Sequence, residues 1–261
     1  MNTNAVQRVV AVHSREEVAE GMFVLRFASE EIAERVKPGQ FVNIRAADGV
    51  GGPLLRRPFS VSRIEGNNVE LFFNVIGTGT RLLASKRPGD KLDVLGPLGK
   101  PFGCGGEFET AVLVGGGLGV APFPLLTTEL LDSGKRVITF VGSRGKQQLY
   151  SAHLQNVQVA TDDGSKGFRG TVVQMLEGYL DSTNIVKPKI FGCGPTRMLI
   201  SLSEVAKKRS LSCELSLEGD MACGIGICQG CPVEVVSGKK KYALVCTDGP
   251  TFNCLDVNLH G

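Results

Sequence analysis

Thr110-Ala111-Val112-Leu113-Val114-Gly115-Gly116-Gly117-Leu118-Gly119-Val120-Ala121-Pro122 is where the texture of this 261-residue chain changes. Ala111 to Val114 is an unbroken apolar run, as expected of a strand buried on both faces of a parallel sheet. Glycines follow at once, and a helix is expected from Pro122 to about Asp132. A strand that passes into a helix through bare glycine backbone leaves N–H groups and the helix dipole free to hold a pyrophosphate. Gly115, Gly116, Gly117, Gly119 and Pro122 are therefore candidate nucleotide contacts. Pro122 stands where the G-x-G-x-x-G pattern has its third glycine, and it suits a first helical turn, whose N–H needs no partner. The other reading of such a loop is a tight structural turn.

Toward the C-terminus, strands at Arg136 to Val141, Val157 to Ala160 and Lys189 to Phe191 alternate with helices expected near Gln147 to Gln155, Thr171 to Tyr179 and Thr196 to Lys208. That alternation predicts a parallel sheet. Phe191-Gly192-Cys193-Gly194-Pro195-Thr196 follows the last of these strands and opens a helix. Ligands in such folds bind outside the carboxyl ends of the strands, so Cys193, Gly194 and Pro195 are expected to face a nicotinamide; a small buried thiol is the alternative for Cys193. After the second sheet strand, Val141-Gly142-Ser143-Arg144 offers no acid for a ribose 2′-hydroxyl, and Arg144 would suit a 2′-phosphate.

Toward the N-terminus the runs are short and β-like: Gln7 to His13, Met22 to Ala28, Gln40 to Arg45, Phe59 to Ile64, Val69 to Val75 and Lys91 to Leu95. Pro38-Gly39, Gly66-Asn67-Asn68, Pro88-Gly89 and Gly96-Pro97 separate them, and Thr80 to Lys86 reads as one short helix. Six closely spaced strands predict a small barrel. Arg56-Arg57-Pro58-Phe59-Ser60 opens one of them. A guanidinium there can pair with a diphosphate, a ring can pack on a flavin and a hydroxyl can reach the flavin's polar edge; an exposed basic turn is the alternative. Gly77-Thr78-Gly79-Thr80 offers a second phosphate-binding N-terminus.

Cysteine spacing carries the most specific signal. Cys223, Cys228, Cys231 and Cys246 leave gaps of four, two and fourteen residues, the plant-type [2Fe–2S] pattern with a distant fourth ligand. Gly224, Gly226 and Gly230 let the backbone wrap a small inorganic core and aim N–H groups at its sulfurs. A structural zinc site is the alternative, although zinc knuckles come in Cys-x-x-Cys pairs and only Cys228 and Cys231 make one. Cys104, Cys213 and Cys254 lack such context and read as structural. The histidines, His13, His153 and His260, are scattered.

The formal charge of +3 is too small to point to nucleic acid. The longest uncharged run, Thr110 to Thr128, is broken by glycine and proline and makes a poor membrane span. The start of the chain lacks the apolar core of a signal peptide. Eight cysteines without an export signal predict a cytoplasmic protein with reduced thiols.

Arg-Pro-Phe-Ser in a barrel, Gly-Gly-Gly-Leu-Gly-Val-Ala-Pro, and Cys-Gly-Pro together resemble the ferredoxin–NADP reductase superfamily. Glu218, Met221-Ala222-Cys223-Gly224-Ile225-Gly226-Ile227-Cys228, Cys231 and Val245-Cys246-Thr247-Asp248-Gly249-Pro250 narrow the resemblance to the electron-transfer subunits of NAD-dependent dihydroorotate dehydrogenase. It runs over essentially the whole chain. The resemblance implies an α+β multidomain protein: a flavin-binding β-barrel over residues 1–104, an α/β nucleotide-binding domain with a parallel sheet over 105–212, and a small [2Fe–2S] cluster domain over 213–261. It implies FAD, a [2Fe–2S] cluster and NAD as cofactors. The implied partner is an FMN-containing catalytic subunit that oxidises dihydroorotate for pyrimidine biosynthesis, in a heterotetramer of two of each. Carried over by motif, Arg57, Pro58, Phe59 and Ser60 would hold FAD, Phe73, Asn74 and Val75 would line its ring and ribityl region, and Gly79 and Thr80 its phosphates. Asn74 stands where arginine is often found. Ser60 beside the flavin and Cys193 beside the nicotinamide are the candidate catalytic residues. The small flavin–iron–sulfur subunits of NADH-dependent ferredoxin–NADP oxidoreductase or sulfide dehydrogenase are the rival; they commonly carry aspartate where this chain has Cys223.

Overall fold

The structure is a computed structural model that describes residues 5–46, 52–236 and 240–259. Strands β1 (Val6–Ala19), β2 (Met22–Ala28), β3 (Phe41–Arg45), β4 (Arg57–Glu65), β5 (Asn68–Asn74) and β6 (Lys91–Leu98) close into a barrel in the order β1-β2-β5-β4-β3-β6. Its pairings are all antiparallel. Side chains alternate along a strand, so Val42 and Ile44 of β3 fill the barrel with Leu25, Val61 and Leu71. Phe41, on the opposite face of the same strand, joins a different core. Ile32 of α1 (Glu30–Arg35) and Leu83 of α2 (Thr78–Ala84) complete the barrel's interior.

The chain then enters a sheet of β7 (Thr110–Gly116), β8 (Arg136–Ser143), β9 (Val157–Thr161), β10 (Phe168–Arg169), β11 (Pro188–Cys193) and β12 (Ser212–Ser216), parallel throughout and ordered β10-β9-β8-β7-β11-β12. The apolar run of β7 is divided between two layers. Ala111 and Leu113 pack with Phe123, Leu126 and Leu130 of α3 (Phe123–Asp132). Val112 and Val114 pack with Leu176 of α4 (Val172–Ser182) and with Leu199 and Leu202 of α5 (Thr196–Lys208). Burial on both faces explains why that run carries no polar alternation.

The helix expected over Gln147 to Gln155 does not form; only a 3₁₀ turn at Lys146–Gln148 does. Leu149, Tyr150 and Leu154 pack instead between the barrel and the sheet, and Tyr150 stacks on Phe72 with ring centroids 4.4 Å apart. His153 (φ 60) and Asn156 (φ 47) take left-handed backbone that ends any helical run. The Asn156 side chain, donating to the Val137 carbonyl at 2.8 Å, pins that connection.

Four short strands follow: β13 (Pro232–Val235), β14 (Tyr242–Leu244), β15 (Thr251–Asn253) and β16 (Val257–Asn258). Three of them form a small sheet in the order β14-β13-β16, while β15 adds antiparallel to β12 and extends the large sheet to seven strands. The cysteine segment is thereby stitched to the nucleotide sheet. It is also tied to the barrel: the Lys100 amide, just after β6, donates to the Gly249 carbonyl at 2.5 Å, and Thr251 Oγ1 donates to the Pro101 carbonyl at 2.8 Å. Among the described residues no helix is long and apolar enough to cross a membrane.

Candidate functional site

Barrel, sheet and cysteine segment meet around a cleft of about 690 Å³. The barrel contributes Arg57, Pro58, Phe59 and Ser60 from β4 and Phe73 and Asn74 from the end of β5. The sheet contributes Pro122 and Cys193, and the cysteine segment contributes Glu218 to Ala222. The size is that of a small-molecule site. The motif at β4 divides its two arginines. Arg56 is spent within the protein: it donates to Asp93 Oδ2 at 2.6 Å and to the Asp93 carbonyl at 2.8 Å. Arg57 bonds only backbone carbonyls, those of Leu55 at 2.9 Å and Arg56 at 3.2 Å, and has no acidic partner among the described residues. An uncompensated guanidinium on the wall of a cleft suits a diphosphate.

Gly79 lies against Arg57: a Cβ built there would meet the Arg57 Cγ at 3.3 Å. Thr80 is buried, and its hydroxyl accepts the Ile76 and Gly77 amides at 2.9 and 3.1 Å, so it shapes the turn before α2. Val75 packs against the barrel core and does not line the cleft.

The two glycine motifs of the sheet meet each other at the carboxyl ends of β7 and β11. A Cβ at Gly119 would fall 2.1 Å from the Cys193 carbonyl oxygen, and one at Gly116 2.6 Å from Met198 Sδ and 3.1 Å from the Pro195 ring. One at Gly194 would fall 3.0 Å from the Gly116 nitrogen. Close backbone approach is what requires glycine here. Gly117 differs: its φ is +55 and nothing lies within 4 Å. Cys193 is buried, and burial first, then the nearby Glu218 carboxylate, push its thiol up to about 12. Burial within the cleft likewise raises Glu218.

The β9 loop supplies acids the β8 motif lacks. The Asp162 amide donates to the Ser143 carbonyl at 3.0 Å and the Asp163 amide to the Arg144 carbonyl at 3.2 Å. Asp163 sits so near Gly145 that a Cβ there would meet its Oδ2 at 2.7 Å. Asp162-Asp163 lies on a different strand end from the motif, directly after β9.

The four expected ligand cysteines are free thiols arranged in two pairs. The Cys223 and Cys228 side chains interact, as do those of Cys231 and Cys246. A [2Fe–2S] cluster takes four thiolates for two irons, so this donor set fits it. Among the described residues no three His, Cys, Asp or Glu side chains converge on a single-ion site. Gly224 (φ +71) and Gly226 (φ +84) turn the loop so that the Ile225 and Cys228 amides donate to Cys223 Sγ at 3.5 and 3.4 Å. Burial opposes ionisation of Cys223, but these donors outweigh it and draw the thiol down to about 7. Burial and the Cys231 side chain push Cys246 up to about 12. Ile225 and Ile227, on the same loop, stand 40% and 70% exposed.

Residues 218–258 match the family described as the iron-sulfur cluster binding domain of dihydroorotate dehydrogenase B. Across 258 residues the chain is 36% identical to the dihydroorotate dehydrogenase B (NAD(+)), electron transfer subunit, of Geobacillus thermodenitrificans (strain NG80-2), covering 96% of this chain and 98% of that one. The chain belongs to the family of dihydroorotate dehydrogenase B electron transfer subunits. The corresponding subunit of Desulforamulus reducens is 34% identical over 254 residues, 94% of each chain. Among solved structures, one of an NADH-dependent reduced ferredoxin-NADP oxidoreductase superposes with a TM-score of 0.83 at 27% identity, covering 97% of this chain and 90% of that one. A ferredoxin NADP+ reductase from Neisseria gonorrhoeae, solved with FAD and NADP, shares the fold at TM-score 0.66 and 17% identity, covering 77% and 91%. The chain is thus an oxidoreductase subunit that transfers electrons, and the family name implies a separate catalytic partner. The rival reading is not favoured: relatives at 34 to 36% identity over nearly the whole chain are dihydroorotate dehydrogenase subunits.

Proposed function

We propose that this chain receives electrons from an FMN-containing catalytic subunit that oxidises dihydroorotate, carries them through a [2Fe–2S] cluster to FAD, and delivers them to NAD+ in the cytoplasm. The observation that carries this reading is the single cleft on which the barrel, the nucleotide sheet and the cysteine segment converge. When bound, the flavin would convert between the one-electron chemistry of the cluster and the hydride chemistry of the nicotinamide.

The residues divide the work. Arg57, beside Gly79, would neutralise the FAD diphosphate, while Thr80 holds the turn that presents them. Phe59 and Phe73, whose ring centroids are 5.6 Å apart in an edge-on pair, form an apolar floor for the isoalloxazine. Pro58, Ser60 and Asn74 complete that wall, with the Ser60 hydroxyl available to the ring's polar edge. On the opposite wall Pro122 and Cys193 would receive the nicotinamide. Cys193 is held as a neutral thiol, so it would shape and desolvate the hydride path and not compete as a nucleophile. The name of the relatives, which specifies NAD(+), supports NAD over NADP. Cys223, Cys228, Cys231 and Cys246 would hold the cluster.

Ile225 and Ile227, exposed on the ligand loop, support this loop as the docking face for the catalytic subunit, in a heterotetramer of two of each. Flavin, iron and sulfide analysis of the purified protein tests the cofactors: FAD with two irons per chain is expected, and zinc in place of iron and sulfide would overturn the cluster. Copurification tests the partner. The isolated chain should oxidise NADH with an artificial acceptor and leave dihydroorotate untouched; dihydroorotate oxidation by this chain alone would overturn the division of labour.

A further inference from the structure

Asn43 lies in the middle of β3, between Val42 and Ile44, whose side chains fill the barrel. Its own side chain therefore faces outward, yet the residue is wholly buried. What buries it is the cysteine loop. The Asn43 amide nitrogen donates to the Cys223 carbonyl at 3.1 Å. A Cβ at Gly224 would fall 2.1 Å from that same nitrogen, so the carboxamide occupies the space a side chain at 224 would need. The contact joins positions 180 residues apart and is the point where a barrel strand grips the first ligand residue.

The strand it belongs to also lines the cleft. In the register of β3 with β4, Phe41 pairs with Ser60 and Asn43 with Pro58. Phe41, Ser60 and Pro58 all face the cleft. Behind Asn43 the backbone is braced, because Arg56 donates to the Asn43 carbonyl at 3.4 Å as well as to Asp93. One short piece of sheet thus touches the flavin wall and the Cys223 loop.

The carboxamide is only half satisfied. Its oxygen Oδ1 is buried with no hydrogen-bond partner among the described residues. Burying half an amide unsatisfied is costly, and an apolar side chain of the same size would fill the volume without that penalty. We propose that Asn43 is a positioning residue for electron transfer: its carboxamide fixes the Cys223 turn against the flavin-lining strand pair and so sets the coupling between the two redox sites. This rests on the reading of FAD and a cluster in one chain.

The test uses the full chain carrying its cofactors, in wild-type form and as Asn43→Leu. Under anaerobic conditions NADH is mixed in, flavin bleaching is followed by absorbance, and cluster reduction by freeze-quench EPR. A second, activity-independent reading is the EPR spectrum of the dithionite-reduced cluster. Asn43→Leu is expected to keep the wild-type rate of flavin bleaching and its flavin and iron content. Its flavin-to-cluster step should slow severalfold, because electron tunnelling falls off steeply as the distance between the two sites grows. Its dithionite-reduced spectrum should broaden or shift as the Cys223 turn loses its anchor. Should Asn43→Leu fail to fold, Asn43→Ala removes the donor without adding bulk against Gly224, with the same expectation. An unchanged flavin-to-cluster rate overturns the proposal whatever the spectrum does. Absence of flavin or cluster signals in wild type overturns the underlying cofactor reading as well, whereas a normal wild type with an unaltered variant overturns the role of Asn43 alone.

Discussion

The loops at Gly115 to Gly119 and at Cys223 to Cys231 are both rich in glycine, and the glycines answer different needs. In the first, missing side chains make room for the neighbouring β11 loop, Gly119 sitting on the Cys193 carbonyl and Gly116 on the Met198 and Pro195 side chains, while Gly117 takes left-handed backbone (φ +55) in open space. In the second, Gly224 and Gly226 take left-handed backbone that turns amides toward Cys223 Sγ. The first loop welds two strand ends into one wall of the cleft. The second folds around its own sulfurs and, at Gly224, closes against Asn43 of the barrel. A glycine motif therefore specifies a need for backbone freedom or proximity, and its surroundings decide which.

The largest expected effect lies in the cysteines that the second loop serves. Cys246→Ser should abolish the cluster absorption and EPR signal, because a hydroxyl is a poor substitute for a thiolate on iron. Cys254→Ser, outside the ligand set, should leave both intact. A normal cluster spectrum in Cys246→Ser would place the fourth ligand elsewhere.

Next comes Gly119→Ala. The added methyl meets backbone, which cannot swing aside, so the variant should lose about 1–3 kcal/mol of stability in urea unfolding and much of its NADH oxidation, with iron content unchanged. Wild-type stability would show that the two loops are less tightly joined than the structure has them. Gly224→Ala should act in the opposite sense, sparing NADH oxidation and lowering cluster occupancy, since left-handed backbone costs about 1–2 kcal/mol for a residue with a Cβ and the methyl meets Asn43. Equal losses of both activities in either variant would erase the distinction between the loops. The smallest effect is expected at Gly230→Ala, where the new methyl makes only an ordinary contact with Cys228 Sγ at 3.5 Å. Cluster content there should stay at the wild-type level, and its loss would show that the bare backbone at 230 serves the cluster directly.

Much of this was legible in the sequence. Short β-like runs between turn residues located the barrel strands, with Met22 to Ala28 bounded as observed, and the helix Thr196 to Lys208 came out to the residue. Turn residues mark where a strand must stop, and the helix buries one regular face. The stretch from Gln147 to Gln155 misled because its apolar residues face the barrel wall, so tertiary contact and not helical period placed them. The C-terminal strands β13 to β16 span only two to four residues each, too short to show a period. In the site, cysteine spacing was readable because metal ligation fixes residue type and separation together. Arg57 was readable as a candidate phosphate contact, but its difference from Arg56 was not, since it depends on Asp93 in a distant strand. Asn43 was invisible for a similar reason: a lone amide in an apolar strand carries no pattern, and its partner lies at Cys223.

The central claim is that one cleft connects nicotinamide, flavin and cluster within this chain, and anaerobic titration of the purified protein with NADH tests it most directly. As the flavin absorption bleaches, the EPR signal of the reduced [2Fe–2S] cluster should rise, and Cys246→Ser should bleach with no such signal. A flavin that bleaches while a dithionite-reducible cluster stays oxidised in the wild-type chain would contradict the account.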